Sequence, residues 1–433
     1  MAKTGDRVKV LTAEETIEGV LMPDEKDFVV LKLDTGYNIG IDKKRIKEII
    51  LVKEYQPTKT AMPKAEYKKE LPTIAILHTG GTIASRVDYE TGGVIAQFKP
   101  EEMLEMFPEL KEIANIRSRL IRQMFSEDMR FGHYNILAQE IEKEIKEGAD
   151  GIIITHGTDT LHYTGAALSF ILQNPGVPVI LVGAQRSSDR GSTDAALNLI
   201  SAAFFIVASK DFAEVALCMH ENINDDWCVI LPGTKSRKMH SSRRDAFQAI
   251  NTEPWARVNY KERKVDLLRT GYRKRAKTTP TIRKFKENVR IGILKMHPNM
   301  SAQEIEFYKG YDGLIIEGTG LGHMPINEID ELTKEHTKIT EAIKKLVQNG
   351  TIVAATTQTI HGGINMNVYS TGRKMQDLGI IGNYTDMTPE TAFIKLAWLL
   401  SNYPKDKAKE MYSQNIAGEI SQRLENVEPK KFK

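Results

Sequence analysis

The stretch Thr73-Ile74-Ala75-Ile76-Leu77-His78-Thr79-Gly80-Gly81-Thr82-Ile83-Ala84-Ser85 opens the larger part of this 433-residue chain and decides how it is read. Its first five residues form a nearly unbroken apolar run, the pattern of a strand buried on both faces. Paired glycines then permit a tight turn and a close backbone approach, and Thr82 offers a hydroxyl directly after them. Comparable apolar runs recur at residues 151–155, 177–182 and 214–219, with helical stretches between them. In one such stretch Tyr134, Leu137, Ile141 and Ile145 fall on a single helical face. Strands alternating with helices predict a parallel, helix-covered sheet, with its ligand site beyond the carboxyl ends of the strands.

Upstream of this stretch the pattern is different. The first fifty residues alternate in short strand-sized runs, punctuated by Pro23-Asp24 and Asp34-Thr35-Gly36 as turns. Short strands without helices between them predict a small all-β barrel of the SH3-like kind over residues 1–55, and residues 56–71, which carry Pro57 and Pro63, read as a linker. Downstream, residues 72–270 form the larger α/β domain. A densely basic connection follows at 271–288, and a second β-α series opens a smaller domain at 289–433.

The bulk composition narrows the function classes. Sixty Lys and Arg stand against 57 Asp and Glu, a net charge of +3, so no global field selects nucleic acid or membrane as a partner. Only Cys218 and Cys228 occur, too few for a disulfide framework and without His pairs at zinc-ligand spacing, and they read as small core residues. No apolar signal core or membrane-length apolar run is seen, which predicts a cytoplasmic enzyme. No glycine-rich loop ending in Lys-Ser or Lys-Thr is present, so ATP chemistry is not expected in this chain.

Two turns carry the chemistry. Thr82 is the candidate nucleophile of the first, although the same glycine pair also suits an ordinary strand-to-loop turn. The second is Thr155-His156-Gly157-Thr158-Asp159-Thr160, ahead of a helical run from residue 161 to 172. Thr158 and Asp159 there are also ordinary helix-capping residues. What distinguishes the two turns is their coincidence at the carboxyl ends of two strands of one expected sheet. A threonine hydroxyl is a weak nucleophile at neutral pH and needs a base, itself held by an orienting charge. Asp159 and Lys238 can supply these, but by spacing alone Lys238 is one cation among Lys235, Arg237, Arg243 and Arg244.

Residues 79–85, His156 to Thr160 and Val182-Gly183-Ala184-Gln185-Arg186 together resemble the signature segments of the bacterial-type L-asparaginase family. The resemblance spans about residue 72 to the low 420s and implies two asparaginase-like α/β domains. Carried over by position, Thr82 matches the acylated threonine and Tyr89 the lid tyrosine. Ser126 and Glu127 match the pair that binds the substrate's α-carboxylate and α-amino groups, and Thr158, Asp159 and Lys238 match the second threonine, the acid and the lysine. One departure is Gly318-Thr319-Gly320-Leu321-Gly322-His323, where the family carries a polar residue near the substrate amino group; His323 and His361 stand nearby as replacements.

With its N-terminal barrel, the whole chain resembles one branch of that family, the D subunits of archaeal glutamyl-tRNA(Gln) amidotransferases. That resemblance implies a glutaminase without a cofactor of its own. It also implies a partner E subunit that uses ATP and Mg, access to tRNA(Gln) through the complex, a homodimer within a heterotetramer, and no membrane. A free-standing cytosolic L-asparaginase and a catalytically silent scaffold are the alternatives.

Overall fold

The computed structural model describes residues 2–23, 26–34, 38–54, 67–81, 85–87, 94–96, 106–186 and 192–422. Five short antiparallel strands open the chain: β1 (Arg7–Leu11), β2 (Thr16–Leu21), β3 (Phe28–Lys32), β4 (Asn38–Asp42) and β5 (Glu48–Lys53), in the order β4-β3-β2-β1-β5. Alternation along them turns Val8, Val10, Val29, Leu31 and Ile41 into a small core of their own, as a barrel-like module requires.

The main sheet has eight strands: β6 (Thr73–Gly80), β7 (Asn115–Met124), β8 (Gly151–Thr155), β9 (Val179–Val182), β10 (Val215–His220), β11 (Cys228–Pro232), and, beyond the short β12 (Ser236–Lys238), β13 (Ala256–Asn259) and β14 (Lys264–Leu267). Their order is β14-β13-β11-β10-β9-β8-β6-β7. Neighbours from β7 through β10 run parallel, whereas β11, β13 and β14 attach antiparallel. The strands expected from the sequence to be parallel are so, and the sheet becomes mixed where β11, β13 and β14 extend it. The cause lies in the short connections of β10 to β11 and β13 to β14, which can close a hairpin but not a crossover.

Strands β6 and β8 are buried along their whole length, as their apolar sequence demands. Helix α1 (Phe131–Lys146) lays Tyr134, Leu137, Ala138 and Ile141 on one face of the sheet, with Ile145 half-buried beside them. Helix α2 (Leu161–Ile171) packs on that same side, and α3 (Ala195–Ala208) covers the other. Both Cys218 and Cys228 are buried in that second core.

The chain then passes through its basic segment, where Arg273 donates to Glu214 at 2.8 Å and Arg275 to the Asp150 carbonyl at 2.8 Å, so these charges are spent on holding the segment to the large domain. The smaller domain is a three-stranded parallel sheet, β15 (Ile291–Lys295), β16 (Gly313–Gly318) and β17 (Ile352–Thr357), flanked by α4 (Glu335–Gln348) and α5 (Pro389–Asn402). Helix α5 docks against α2. Trp398 stacks on Phe170 with ring centroids 5.6 Å apart, and its indole N–H donates to the Arg283 carbonyl at 2.9 Å. One apolar core thus runs through both α/β domains, which fixes the loops of the smaller one against the larger. No described helix is long and apolar enough to cross a membrane.

Candidate active site at the junction of two strands

Within the parallel part of the sheet, β6 is the first strand in sequence, yet the next strand, β7, pairs on one side of it and the third, β8, on the other. The chain reverses its direction of winding between β6 and β8. Such a switch point leaves a crevice outside the carboxyl ends of the two strands, where ligands of open α/β sheets bind. The carboxyl ends of β6 and β8 lie side by side there, with Thr155 of β8 beside His78 of β6.

Backbone packing at this point is close enough to require glycine. Gly81 has φ +80°, and a Cβ on it would lie 2.5 Å from the Gly157 nitrogen. A Cβ on Gly157 would lie 2.8 Å from Cβ and 2.9 Å from Oγ of Ser126. Each missing side chain lets a neighbouring turn advance, so three loops meet at one place.

Two buried histidines brace the junction. His78 spans from the Thr155 hydroxyl to the Ser118 hydroxyl, each at 2.7 Å. His156 places Nδ1 2.7 Å from the Gly157 carbonyl, and since a carbonyl only accepts, that nitrogen carries the proton and Nε2 accepts from Thr164 at 2.9 Å. Burial pushes both imidazoles down to about 4, which keeps them neutral and suits a structural part rather than proton transfer near neutrality.

The acid-lysine pair lies above them. Lys238, at the end of β12, sends its Nζ to Thr158 Oγ1 at 2.9 Å and to Asp159 Oδ1 at 2.7 Å. The lysine side chain is only 10% exposed while that of Asp159 is 67% exposed, so the pair sits at the mouth of the crevice with its cation on the inside. This geometry removes the capping alternative. The residue that precedes α2 is Thr160, and its hydroxyl donates to the Ser126 carbonyl at 2.6 Å instead of capping the helix.

It also separates Lys238 from the other cations of its neighbourhood. Lys235 pairs with Asp386 at 2.5 Å, Arg237 with Glu390 at 3.1 Å, Arg243 with Asp245 and Arg244 with Asp225. Of these five only Lys238 reaches the Thr158 turn. Asp386 and Glu390 both come from the smaller domain, at and just before the start of α5, so that domain neutralises the charges that flank Lys238. His162 on α2 lies 3.9 Å from Glu390, and burial drives its pKa down to about 4.

Ser126 and Glu127 share a single 3-10 turn, Ser126–Asp128, beyond the end of β7. Ser126 is buried beside Gly157 and Glu127 is exposed. Thr158, Asp159, Lys238 and Ser126 are thus brought into one cluster. Thr82 and Tyr89 lie outside the described residues. His323 stands edge-on to Tyr369 in the smaller domain, with ring centroids 5.3 Å apart. Gln185, which the sequence showed only as part of the segment 182–186 and without a role, places its Oε1 3.5 Å from Thr158 Oγ1. The signal for it was its place two residues after Gly183 at the end of β9, a third strand end at the same edge of the sheet.

Three family models match the chain: the GatD N-terminal domain over residues 2–52, the asparaginase N-terminal domain over 73–271 and the glutaminase/asparaginase C-terminal domain over 290–412. The D subunit of a glutamyl-tRNA(Gln) amidotransferase from Pyrococcus furiosus is 46% identical across 97% of this chain and 95% of its own length. The chain belongs to the GatD family, the D subunits of glutamyl-tRNA(Gln) amidotransferases. A second member of this family, from Methanococcus maripaludis, is 44% identical across 97% of this chain and 98% of its own. Among solved structures the L-asparaginase of Thermococcus kodakarensis superposes with a TM-score of 0.71 at 28% identity, covering 81% of this chain and all of that one. L-asparaginase I of Vibrio cholerae gives 0.69 at 27% identity over 81% of this chain. The GatD family therefore combines the asparaginase fold with the N-terminal strand module.

Proposed function

We propose that this chain hydrolyses glutamine through an acyl-threonine intermediate on Thr82 and passes the ammonia to a partner E subunit, which uses ATP and Mg to convert Glu-tRNA(Gln) to Gln-tRNA(Gln). As a member of the GatD family it is the amidohydrolase component of a tRNA-dependent amidotransferase. The observation that carries the catalytic reading is the double contact of Lys238 with Thr158 and Asp159 at the β6–β8 switch point.

In this reading the Thr82 oxygen attacks the carboxamide carbon of glutamine, the C–N bond breaks, and ammonia leaves with the proton the hydroxyl gave up. Water then attacks the acyl-threonine, releasing glutamate and restoring the hydroxyl. Lys238 donates to Thr158 and has Asp159 as its counter-charge, so the three groups tune one another's proton affinity and steady the charge that develops in the transition state. Backbone N–H groups near Gly81 and Thr158 serve as oxyanion donors, and preorganised donors of this kind are a large term in acyl transfer. Ser126 and Glu127 bind the α-carboxylate and α-amino groups, and Tyr89 closes over the substrate. The chain works in the cytoplasm as a homodimer within a heterotetramer, and tRNA(Gln) reaches it through the complex.

A free-standing asparaginase is the competing reading. The asparaginases quoted cover 81% of the chain, whereas the GatD relatives cover 97%, N-terminal module included, which favours the amidotransferase. The test is turnover of glutamine and asparagine, each with and without the E subunit and Glu-tRNA(Gln). Glutamine turnover that rises when partner and charged tRNA are added is expected. Faster asparagine turnover that ignores both would overturn the reading.

A further inference from the structure

Gln185 leaves β9 at the same edge of the sheet as Thr158 leaves β8, and the role just proposed for Thr158 gives it no part. Thr158 Oγ1 already accepts from Lys238, and among the described residues the acceptor its own proton reaches is Gln185 Oε1 at 3.5 Å. That separation is long, and hydrogen bonds within active sites are often long before substrate tightens them.

The backbone of Gln185 is not free to wander. Asp194, fully buried just ahead of α3, takes the Gln185 N–H on both carboxylate oxygens at 3.0 Å and the Arg186 N–H on one of them at 3.0 Å. Asn198 braces the carboxylate from α3, donating to Asp194 at 3.3 Å and to the Gly183 carbonyl at 3.0 Å. A buried charge satisfied by three donors is a rigid anchor, and here it serves two successive backbone amides of one loop. The other half of the Gln185 amide tells the same story. Its Nε2 is buried with no hydrogen-bond partner among the described residues, a cost that a loop glutamine kept only for packing would shed by turning outward.

We propose that Gln185, anchored through Asp194, is a positioning residue that holds the proton of Thr158 so that the remaining lone pair of its hydroxyl faces the reacting groups. A threonine hydroxyl has one proton and two lone pairs. With one lone pair on Lys238 and the proton on Gln185, the direction of the second lone pair is fixed. Without Gln185 the hydroxyl rotates about its Cβ–Oγ bond, and only part of the population presents an acceptor.

The inference rests on the role proposed for Thr158, and the experiment keeps the two apart. Glutaminase kcat and KM are measured for the complex with E subunit and Glu-tRNA(Gln), using Gln185→Met, Gln185→Glu and Thr158→Ala. Gln185→Met removes the acceptor at similar volume and is expected to lower kcat about tenfold, the rate equivalent of one lost hydrogen bond, with KM within about threefold of wild type. Gln185→Glu keeps an acceptor facing Thr158 and is expected to restore kcat to within about threefold, which a packing role does not predict. Wild-type kcat in Gln185→Met, a change confined to KM, or a Gln185→Glu variant as slow as Gln185→Met overturns the proposal. If Thr158→Ala is inactive while Gln185→Met is normal, this inference alone fails. If Thr158→Ala keeps its kcat, the catalytic reading of Thr158 fails and this one with it.

Discussion

Replacing Lys238 by Met separates the catalytic reading of the acid-lysine pair from a structural one, because methionine keeps the length of the stem and removes only the ammonium. The change deletes two charge-assisted hydrogen bonds, at 2.9 Å to Thr158 and 2.7 Å to Asp159. Bonds of that kind contribute about 1.5–3 kcal/mol each. The Asp159 carboxylate is largely exposed and screened by solvent, so its share is taken at the lower end, leaving about 3–4 kcal/mol at stake in the transition state. That corresponds to a fall in kcat of roughly a hundredfold to a thousandfold. The fold should hardly notice, since an ion pair with one exposed partner is worth about 1 kcal/mol or less. Ammonia release at saturating glutamine, measured on the complex with charged tRNA beside a thermal melt, reads both quantities. A K238M complex within about threefold of wild-type kcat, or one whose lost activity is matched by a collapse in melting temperature, would show the pair to be structural and not catalytic.

Four further outcomes follow from the same geometry. Gly157→Ala places a Cβ 2.8 Å from that of Ser126 and should displace the Ser126 turn, costing about 1–3 kcal/mol in stability and weakening substrate affinity; an unchanged KM would show that the close approach is unimportant. Ser126→Ala should raise KM more than it lowers kcat, and the reverse pattern in steady-state kinetics would move Ser126 into the chemical step. Acid should destabilise the fold through His78, His156 and His162, whose pKa is lowered from 6.5 to about 4 by burial. The unfolded chain binds more protons between those values, so stability is kept above 6.5 and falls by about 2 kcal/mol per histidine on reaching pH 5; denaturant unfolding that is flat from pH 7 to 5 would contradict neutral burial. Deleting residues 1–60 should leave basal amide hydrolysis intact and weaken engagement of partner or tRNA, and an insoluble truncated protein would contradict the separate core of the N-terminal module.

The strands that carry the site were legible because burial on both faces leaves an apolar run that few other elements show, as in β6 and β8. Strand β7 was not. Its sequence is rich in arginine, and only the structure shows why: Arg117 and Arg119 reach Glu144 and Glu140 on α1, which lets an edge strand carry charge. The antiparallel end of the sheet was equally hidden, since β13 and β14 are four-residue strands without long apolar runs. At the site, Thr158 and Asp159 taken alone read as helix caps; the coincidence of two turns and the family resemblance pointed to chemistry, and the structure adds Lys238, some eighty residues later, bridging them. Spacing did not single it out among five neighbouring cations, and only the family resemblance did; two of the others, Lys235 and Arg237, are taken by Asp386 and Glu390 from the smaller domain, a long-range pairing no local pattern encodes. No role for Gln185 was legible for a similar reason: its approach to Thr158 depends on how the ends of β8 and β9 meet.

Opening of glutamine by Thr82 leaves a covalent trace that can be caught during turnover. The complex with E subunit and Glu-tRNA(Gln) is mixed with glutamine, quenched in acid during turnover, digested, and its peptides mapped by mass. A glutamyl adduct is predicted on the peptide that contains Thr82, absent in Thr82→Ala, which should also lose ammonia release while keeping its melting temperature. An adduct on another residue, or undiminished turnover in Thr82→Ala, would contradict it.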